Sequence, residues 1–389
     1  MPQNPLNVQE LREHCIGFLA GSPESLMSCA LVARSWVDAA QANLFRAPLL
    51  INWRILVDAP TATRFYDAIN SSPHLARYVR AIGIQQGWYS TALIENICSI
   101  SFPRLESLYV VVFNLVELEP QLRPIMSLPT LQHLHLVVNN YYFSPSTIVP
   151  LLARLPSTCQ YLDLRCYQWD PSKIPSKVES ASRIKLLYLR LDIMPVFYPR
   201  ATPPQRLQST SLHPFDLGHL KSLEVQDSCS LVWDSIPPAT RSAIEVLHLG
   251  ISGSTAVDLS TFPNLQLLRL RLPYDDRSLA PVLRTLSSIT AHHQIRTIIL
   301  FVGDSDLEEK ECRELDQVLA FLPISPHPMI AFEVPITSPV NDSESKLQKF
   351  FPLLVSHNKF HMACGDWDIS NDLPTTLERR LVYEPRIML

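Results

Sequence analysis

The side chains that could do chemistry in this 389-residue chain are scattered rather than gathered into one constellation. His292 and His293 are adjacent, but they sit in a polar connector just before an apolar run, which reads as a solvated turn ahead of a strand. His133 and His135 flank Leu134, so a strand would point both to one face, yet a third ligand at metal-binding spacing is missing. Gly365-Asp366-Trp367-Asp368 reads as a turn followed by a packed tryptophan. Cys15, Cys29, Cys98, Cys159, Cys166, Cys229, Cys312 and Cys364 form no CxxC pair and no Cys/His spacing suited to zinc, so they read as free thiols.

Catalytic signatures are equally absent from the string. It contains no GxSxG, no HExxH, no EF-hand loop, no kinase set, and neither GxGxxG nor GxxxxGK[ST]. Nine glycines leave little material for loops that cradle phosphate. The expectation is a non-enzyme with no cofactor and no metal site.

A net charge of -4 gives no field that would gather phosphate backbones or anionic lipid, so neither nucleic acid nor membrane is an expected partner. The longest obvious apolar run, Leu108 to Phe113, falls far short of the roughly 18 residues of a membrane helix. Met1 to Glu10 are polar and lack the charged and apolar regions of a secretory signal, which predicts a cytoplasmic or nuclear protein. The sequons at Asn70 and Asn341 then read as chance matches.

The elements that must position any site begin with short helices. Val8, Leu11, Cys15, Phe18 and Leu19 recur at spacings of three and four, one face of an amphipathic helix. Gly21 stops it, Ser22 and Pro23 suit the N-cap and first position of a second helix carrying Leu26, Cys29, Ala30, Ala33 and Trp36, and Val37 to Phe45 continue helically. So small a unit buries little surface and is expected to lean on a partner.

Glu10-Leu11, Ile16 and Leu19, then Ser25-Leu26, Cys29, Leu31-Val32-Ala33-Arg34-Ser35-Trp36 and Leu44-Phe45-Arg46 carry a resemblance to the F-box of fungal F-box proteins. Asn70 to Arg80 also resembles the segment that joins the F-box to repeats in that family. Asn7-Val8-Gln9 stand where that family usually has Leu-Pro or Phe-Pro, and Ala33 where it prefers cysteine. The resemblance implies docking onto the Skp-type adaptor of a cullin-RING ubiquitin ligase, with an unknown client protein chosen by the rest of the chain. Leu11, Ile16, Leu19, Leu26, Leu31, Val32 and Trp36 are the candidate adaptor-binding residues, or alternatively the core of a small helical cap. A repeat scaffold that binds proteins without any ligase is the competing function.

Beyond Val79 a pattern apolar-x-x-apolar-x-apolar recurs at Val79/Ile82/Ile84, Leu105/Leu108/Val110, Leu131/Leu134/Leu136, Cys159/Leu162/Leu164, Ile184/Leu187/Leu189, Leu220/Leu223/Val225, Ile244/Leu247/Leu249, Leu265/Leu268/Leu270 and Ile295/Ile298/Leu300. Most steps sit in or near the range of about 20 to 29 residues found in leucine-rich repeats. Phe102-Pro103, Leu128-Pro129 and Phe262-Pro263 open their units, because proline ends a preceding helix and delivers the chain extended. The convex side should be helical at Thr91 to Ser99, Thr147 to Leu155 and Asp275 to Ser288. Pro199 to Asp216 and Pro335 to Ser345 read as surface loops.

The expected fold class is therefore α/β: an N-terminal three-helix F-box-like module (1–50), a helical linker (51–78), a degenerate leucine-rich-repeat solenoid shaped as an irregular horseshoe (79–334), and an atypical C-terminal cap (335–389). Strand alternation sends the middle and last apolar residues inward and their neighbours to the open sheet face. That face is the expected client site, with Tyr109, His135, Arg165, Tyr188, Arg190, Glu224, His248, Arg269 and Arg271, accompanied by His133 and Asp163. Arginine's planar fork suits carboxylate or phosphate, so an acidic or phosphorylated client segment is the matching ligand; an ordinary solvated strand face is the alternative.

Overall fold

The structure, a computed structural model, describes residues 9–19, 22–32, 34–51, 55–56, 58–139, 148, 151–166, 184–193, 215–226, 236–251, 256–272, 278–302, 309–334 and 340–364. Gly365 to Asp368 and most of Pro199 to Asp216 lie outside these residues. The chain divides into two compact units, Met1–Asn139 with Pro150–Cys159, and Asn140–Val149 with Gln160–Leu389.

In the first unit, helices α1 (Gln9–Gly17), α2 (Pro23–Val32) and α3 (Arg34–Leu44) precede a small antiparallel pair, β1 (Leu50–Ile51) and β2 (Ile55–Leu56). Pro23 takes the first position of α2, where its missing N–H is not needed, and the Ser22 carbonyl accepts from Leu26 N–H. Trp36 belongs to α3 and not to the end of α2. Helix α4 (Ala59–Ser71) starts on Asp58, whose carboxylate accepts from Thr61 N–H and is held below the usual carboxylate range first by the Thr61 side chain and then by that N–H.

Parallel strands β3 (Ala81–Gln85), β4 (Ser107–Val112) and β5 (His133–Val138) follow, with Ile82, Leu108 and Leu134 in register, then Ile84, Val110 and Leu136. All six are fully buried against helices α5 (Thr91–Ser99) and α6 (Leu115–Met126) and the turns beside them. Helix α6 contains Pro120 and Pro124, residues that break helices. It persists because both rings sit on its exposed side while Leu115, Leu118, Leu122, Ile125 and Met126 bury the other. At about 1.5–3 kcal/mol for each large apolar side chain, that burial outweighs roughly 3 kcal/mol per proline.

In the second unit the strands are β6 (Tyr161–Cys166), β8 (Tyr188–Ile193), β10 (Ser222–Gln226), β11 (Val246–Gly250), β12 (Leu267–Arg271), β13 (Thr297–Phe301), β14 (Met329–Val334) and β15 (Phe360–Cys364), each parallel to the next in that order. Two-residue strands β7 (Ile184–Lys185) and β9 (Phe215–Asp216) pair with each other beside this sheet. Between sheet strands run helices Pro238–Ala243, Ala280–Ser287 and Glu309–Ala320, or single 3-10 turns, Leu217–His219 and Leu259–Thr261. Both turns are built alike: Asp216 accepts from Gly218 N–H and Asp258 from Ser260 N–H, while Leu217 and Leu259 are buried.

Two expectations need correcting. In register, Leu162 faces Leu189 and Leu189 faces Leu223, so the apolar frame of β8 is Leu186/Leu189/Leu191 and not Ile184/Leu187/Leu189. A slip of two leaves every side chain on its own face, which is why alternation alone could not detect it. Residues Val340–Phe350 form an α-helix where a surface loop was expected, and β15 extends the sheet beyond residue 335.

One device recurs at the strand starts. The Arg46 carbonyl accepts from both Arg80 and Ala81 N–H, the Arg80 carbonyl from Glu106 and Ser107, and the Glu106 carbonyl from Gln132 and His133. In the second unit Gln160, Leu187, Lys221, Glu245 and Gln266 carbonyls each accept in the same way from two consecutive amides of the next strand start. The Phe-Pro and Leu-Pro openings end in turns closed by Leu105 N–H to Phe102, Leu131 N–H to Leu128 and Leu265 N–H to Phe262.

Candidate interaction sites

The helical module divides the seven candidate adaptor residues into three classes. Ile16 and Leu26 are buried and, with Ala39, form the module's own core. Leu19 and Trp36 are half-buried and pack on that core beside Leu44. Leu11, Leu31 and Val32 are exposed, Leu31 at 88 % and Val32 at 71 %. Two apolar side chains outside the seven candidates join them: Phe18, which the helical spacing groups with Leu11 and Leu19 and which is 79 % exposed, and Met27. Met27 could have been found from its spacing, since it lies four residues before Leu31 and next to the inward Leu26.

The module does not stand alone. Arg12 donates to the Ser35 carbonyl at 2.9 Å, tying α1 to α3, and Arg77 donates to Asp38 at 3.1 Å. Ala47 packs on Ala81 and Val111 together with Tyr109 and Val137. The support expected from a partner is thus supplied in part by the first strands of the same unit.

The expected client face is partly open in the first unit and closed in the second. Tyr109 and His135 are half-buried with their rings tilted at a centroid distance of 5.9 Å. His133 is buried, its Nδ1 3.2 Å from Ser107 Oγ. In the second unit one register row runs Asp163, Arg190, Glu224, His248, Arg269, Ile299, Ala331. Every member is buried, so neither the open client face expected there nor its solvated alternative is found along this row.

The row is held by charge. Arg190 Nε lies 3.2 Å from Glu224 and 3.7 Å from Asp163. Glu224 also accepts from the Tyr188 hydroxyl at 2.9 Å and lies 3.7 Å from His248 Nδ1. Arg269 bonds Glu333, two strands away. Arg165, half-buried, reaches Asp163 at 3.4 Å, and Arg271 lies over the Phe301 ring at 5.9 Å. Val246, Leu267, Ile299 and Ala331 form an apolar cluster on the same face. Sheets buried on both faces carry near-continuous apolar strands, which Thr297–Phe301 shows. That was the readable signal: Ile299 and Ala331 are apolar at positions where an open face calls for polar residues.

Of the nine candidate client residues, Tyr109, His135, Arg165 and Arg271 keep part of their surface, while Tyr188, Arg190, Glu224, His248 and Arg269 do not. Burying a charged side chain is costly unless an opposite charge accompanies it, and here Arg190 lies beside Glu224 and Asp163, and Arg269 beside Glu333.

Two further polar residues escaped the sequence reading. His293, expected in a solvated turn, is buried: its Nδ1 accepts from Thr290 N–H at 2.9 Å and its Nε2 lies 2.8 Å from the Leu259 carbonyl, while His292 is exposed. Asp316 is buried and accepts from Leu353 and Leu354 N–H at 2.8 and 3.0 Å, capping the helix Pro352–Ser356. Burial pushes its carboxyl above the usual value, against the pull of those two amides. Burial likewise raises the Cys98 and Cys312 thiols to about 12, whereas Cys15 is exposed.

Among the described residues no three His, Cys, Asp or Glu side chains converge on a metal position, and no helix is long and apolar enough to cross a membrane. Compared with protein-family models and with curated protein sequences the chain matches none, so its function has to be argued from the surfaces just described.

Proposed function

We propose that this protein is the substrate-receptor subunit of a Skp-cullin-F-box type ubiquitin ligase, working in the cytoplasm or nucleus. Its helical module docks a Skp-type adaptor, and its parallel-strand region, read as an irregular leucine-rich-repeat solenoid, holds a client protein. The observation that carries this reading is the set of apolar side chains that the module leaves outside its own core: Leu11, Phe18, Met27, Leu31 and Val32. Exposed large apolar residues concentrated in so few residues mark a protein-binding surface. The resemblance of Glu10 to Arg46 to the F-box supplies the kind of partner.

Such a receptor positions a client's lysines and catalyses nothing. Client contact falls to the half-buried Tyr109, His135, Arg165 and Arg271, and the buried Arg190, Glu224 and Arg269 serve as the internal frame that holds the strands. Co-expression of the full chain with a Skp-type adaptor tests the reading. Stable co-elution is expected; failure to recover adaptor, in conditions where an established F-box protein recovers it, would leave a repeat scaffold without a ligase.

A further inference from the structure

A cavity of about 330 Å³ lies in the first unit where α3 and its following turn meet the starts of β3 and β4. It is lined by Ala42, Asn43, Arg46, Arg77, Tyr78, Arg80, Arg104 and Glu106. Four arginines therefore line one small space in a chain whose net charge is -4.

Among the described residues two carboxylates answer them. Arg77 pairs with Asp38, which also accepts from the Tyr78 hydroxyl at 2.5 Å, and Arg80 pairs with Glu106. Arg46 and Arg104 have no side-chain partner among the described residues. Four positive charges against two negative ones leave two in excess. Like charges around one cavity repel, so folding alone gives no reason to gather them, whereas a bound dianion would add an attraction to each arginine.

We propose that this cavity binds a phosphomonoester dianion. At neutral pH such a group carries about -1.5 to -2 charges and three acceptor oxygens, which matches the excess charge and the forked donors of arginine. The volume lies at the lower end of small-ligand sites, room for one phosphorylated group and little more. A nucleic-acid strand would need a basic track rather than a single pocket. The phosphate can arrive on a small free molecule or on a phosphorylated serine of a peptide, and both present the same dianion. This assignment goes beyond the ligase reading and holds whether or not the helical module binds an adaptor.

The test uses the full chain at low salt, with titration calorimetry and phosphorus NMR. The probes are inorganic phosphate, the tripeptide Ala-phosphoserine-Ala and its unphosphorylated form. Binding of the phosphate-bearing probes is expected, tightening as the pH rises through about 6, where the second phosphate proton leaves. The double variant Arg46→Gln/Arg104→Gln should weaken it at least tenfold while circular dichroism stays unchanged, and Arg46→Lys/Arg104→Lys should recover part of the loss. If the double variant fails to fold, the single exposed change Arg104→Gln is read instead and should still weaken binding severalfold. A phosphopeptide that binds about tenfold more tightly than inorganic phosphate assigns a protein source, and equal affinity a small molecule. Absence of binding by either phosphate probe, equal binding of the unphosphorylated tripeptide, or undiminished binding in a folded variant overturns the proposal.

Discussion

Arg190 and Glu224 face each other across adjacent parallel strands, 3.2 Å apart, with side chains 2 % and 1 % exposed. Desolvating two such charges is unfavourable by several kcal/mol each, and their attraction offsets this only while both remain. Arg190→Met is therefore expected to destabilise the protein by about 3–5 kcal/mol, and Glu224→Leu by a similar amount. The double variant should lose clearly less than the sum of the two. Urea melts of the four proteins measure this coupling, and strict additivity would show that the pair does not act as one unit.

The helical module predicts a separation between folding and binding. Leu31→Asp with Val32→Asp alters two exposed side chains and should leave the melting curve within about 0.5 kcal/mol of wild type while removing adaptor capture. Leu26→Ala instead opens the module's core and should destabilise it by about 2–5 kcal/mol. Trp36→Ala belongs with Leu26, since its ring packs on that core. A Leu31/Val32 variant that unfolds would place these residues in a core.

Asp316 gives stability a pH dependence whose sign follows from its raised carboxyl value. The fold favours the neutral form, so this contribution is fully present below the unfolded value near 3.8 and is lost as pH rises through the higher folded value. Asp316→Asn does not titrate and leaves one of the two capped amides without an acceptor. It should be less stable by about 1–3 kcal/mol near pH 4, with the gap narrowing towards neutral pH. A gap that widens on going to neutral pH would reverse the assigned direction.

Thiol labelling should follow burial. Cys15 is exposed and should react with a maleimide in minutes, while Cys98 and Cys312, with thiols pushed up to about 12, should require unfolding. Mass spectrometry of a short labelling pulse reads the order directly. Rapid modification of Cys98 in native buffer would contradict the packing of α5.

Much of the strand framework was legible, because Ile82/Ile84, Leu108/Val110 and their equivalents alternate with the period of a strand and are buried as that period requires. Helix α5 matched its predicted span from Thr91 to Ser99, since no proline disturbs its spacing. Helix α6 was missed for the opposite reason, with Pro120 and Pro124 outvoted by tertiary burial. Five of the nine client-face positions are buried against expectation, because alternation tells which residues share a face and says nothing of how far each is exposed. Arg190, Glu224 and Arg269 look like surface residues one at a time; their alternating sign along a register row becomes visible only when strands are aligned. Asp316 and His293 pair with backbone 37 and 34 residues away, contacts that no local pattern announces.

The carbonyl that accepts two amides at eight of the strand starts has a consequence for how such a chain can change length. Pairing is fixed at the beginning of a strand, by the residue just before its neighbour, so residues added or lost farther along do not carry a shift into the next strand. Loss of residues 245–265 would bring Gln266 and Leu267 beneath the Lys221 carbonyl, where Glu245 and Val246 had stood, with the following strand still in phase. Insertion and deletion of whole units is thus a local event, and lineages could lengthen or shorten this protein by one strand at a time without relearning the fold.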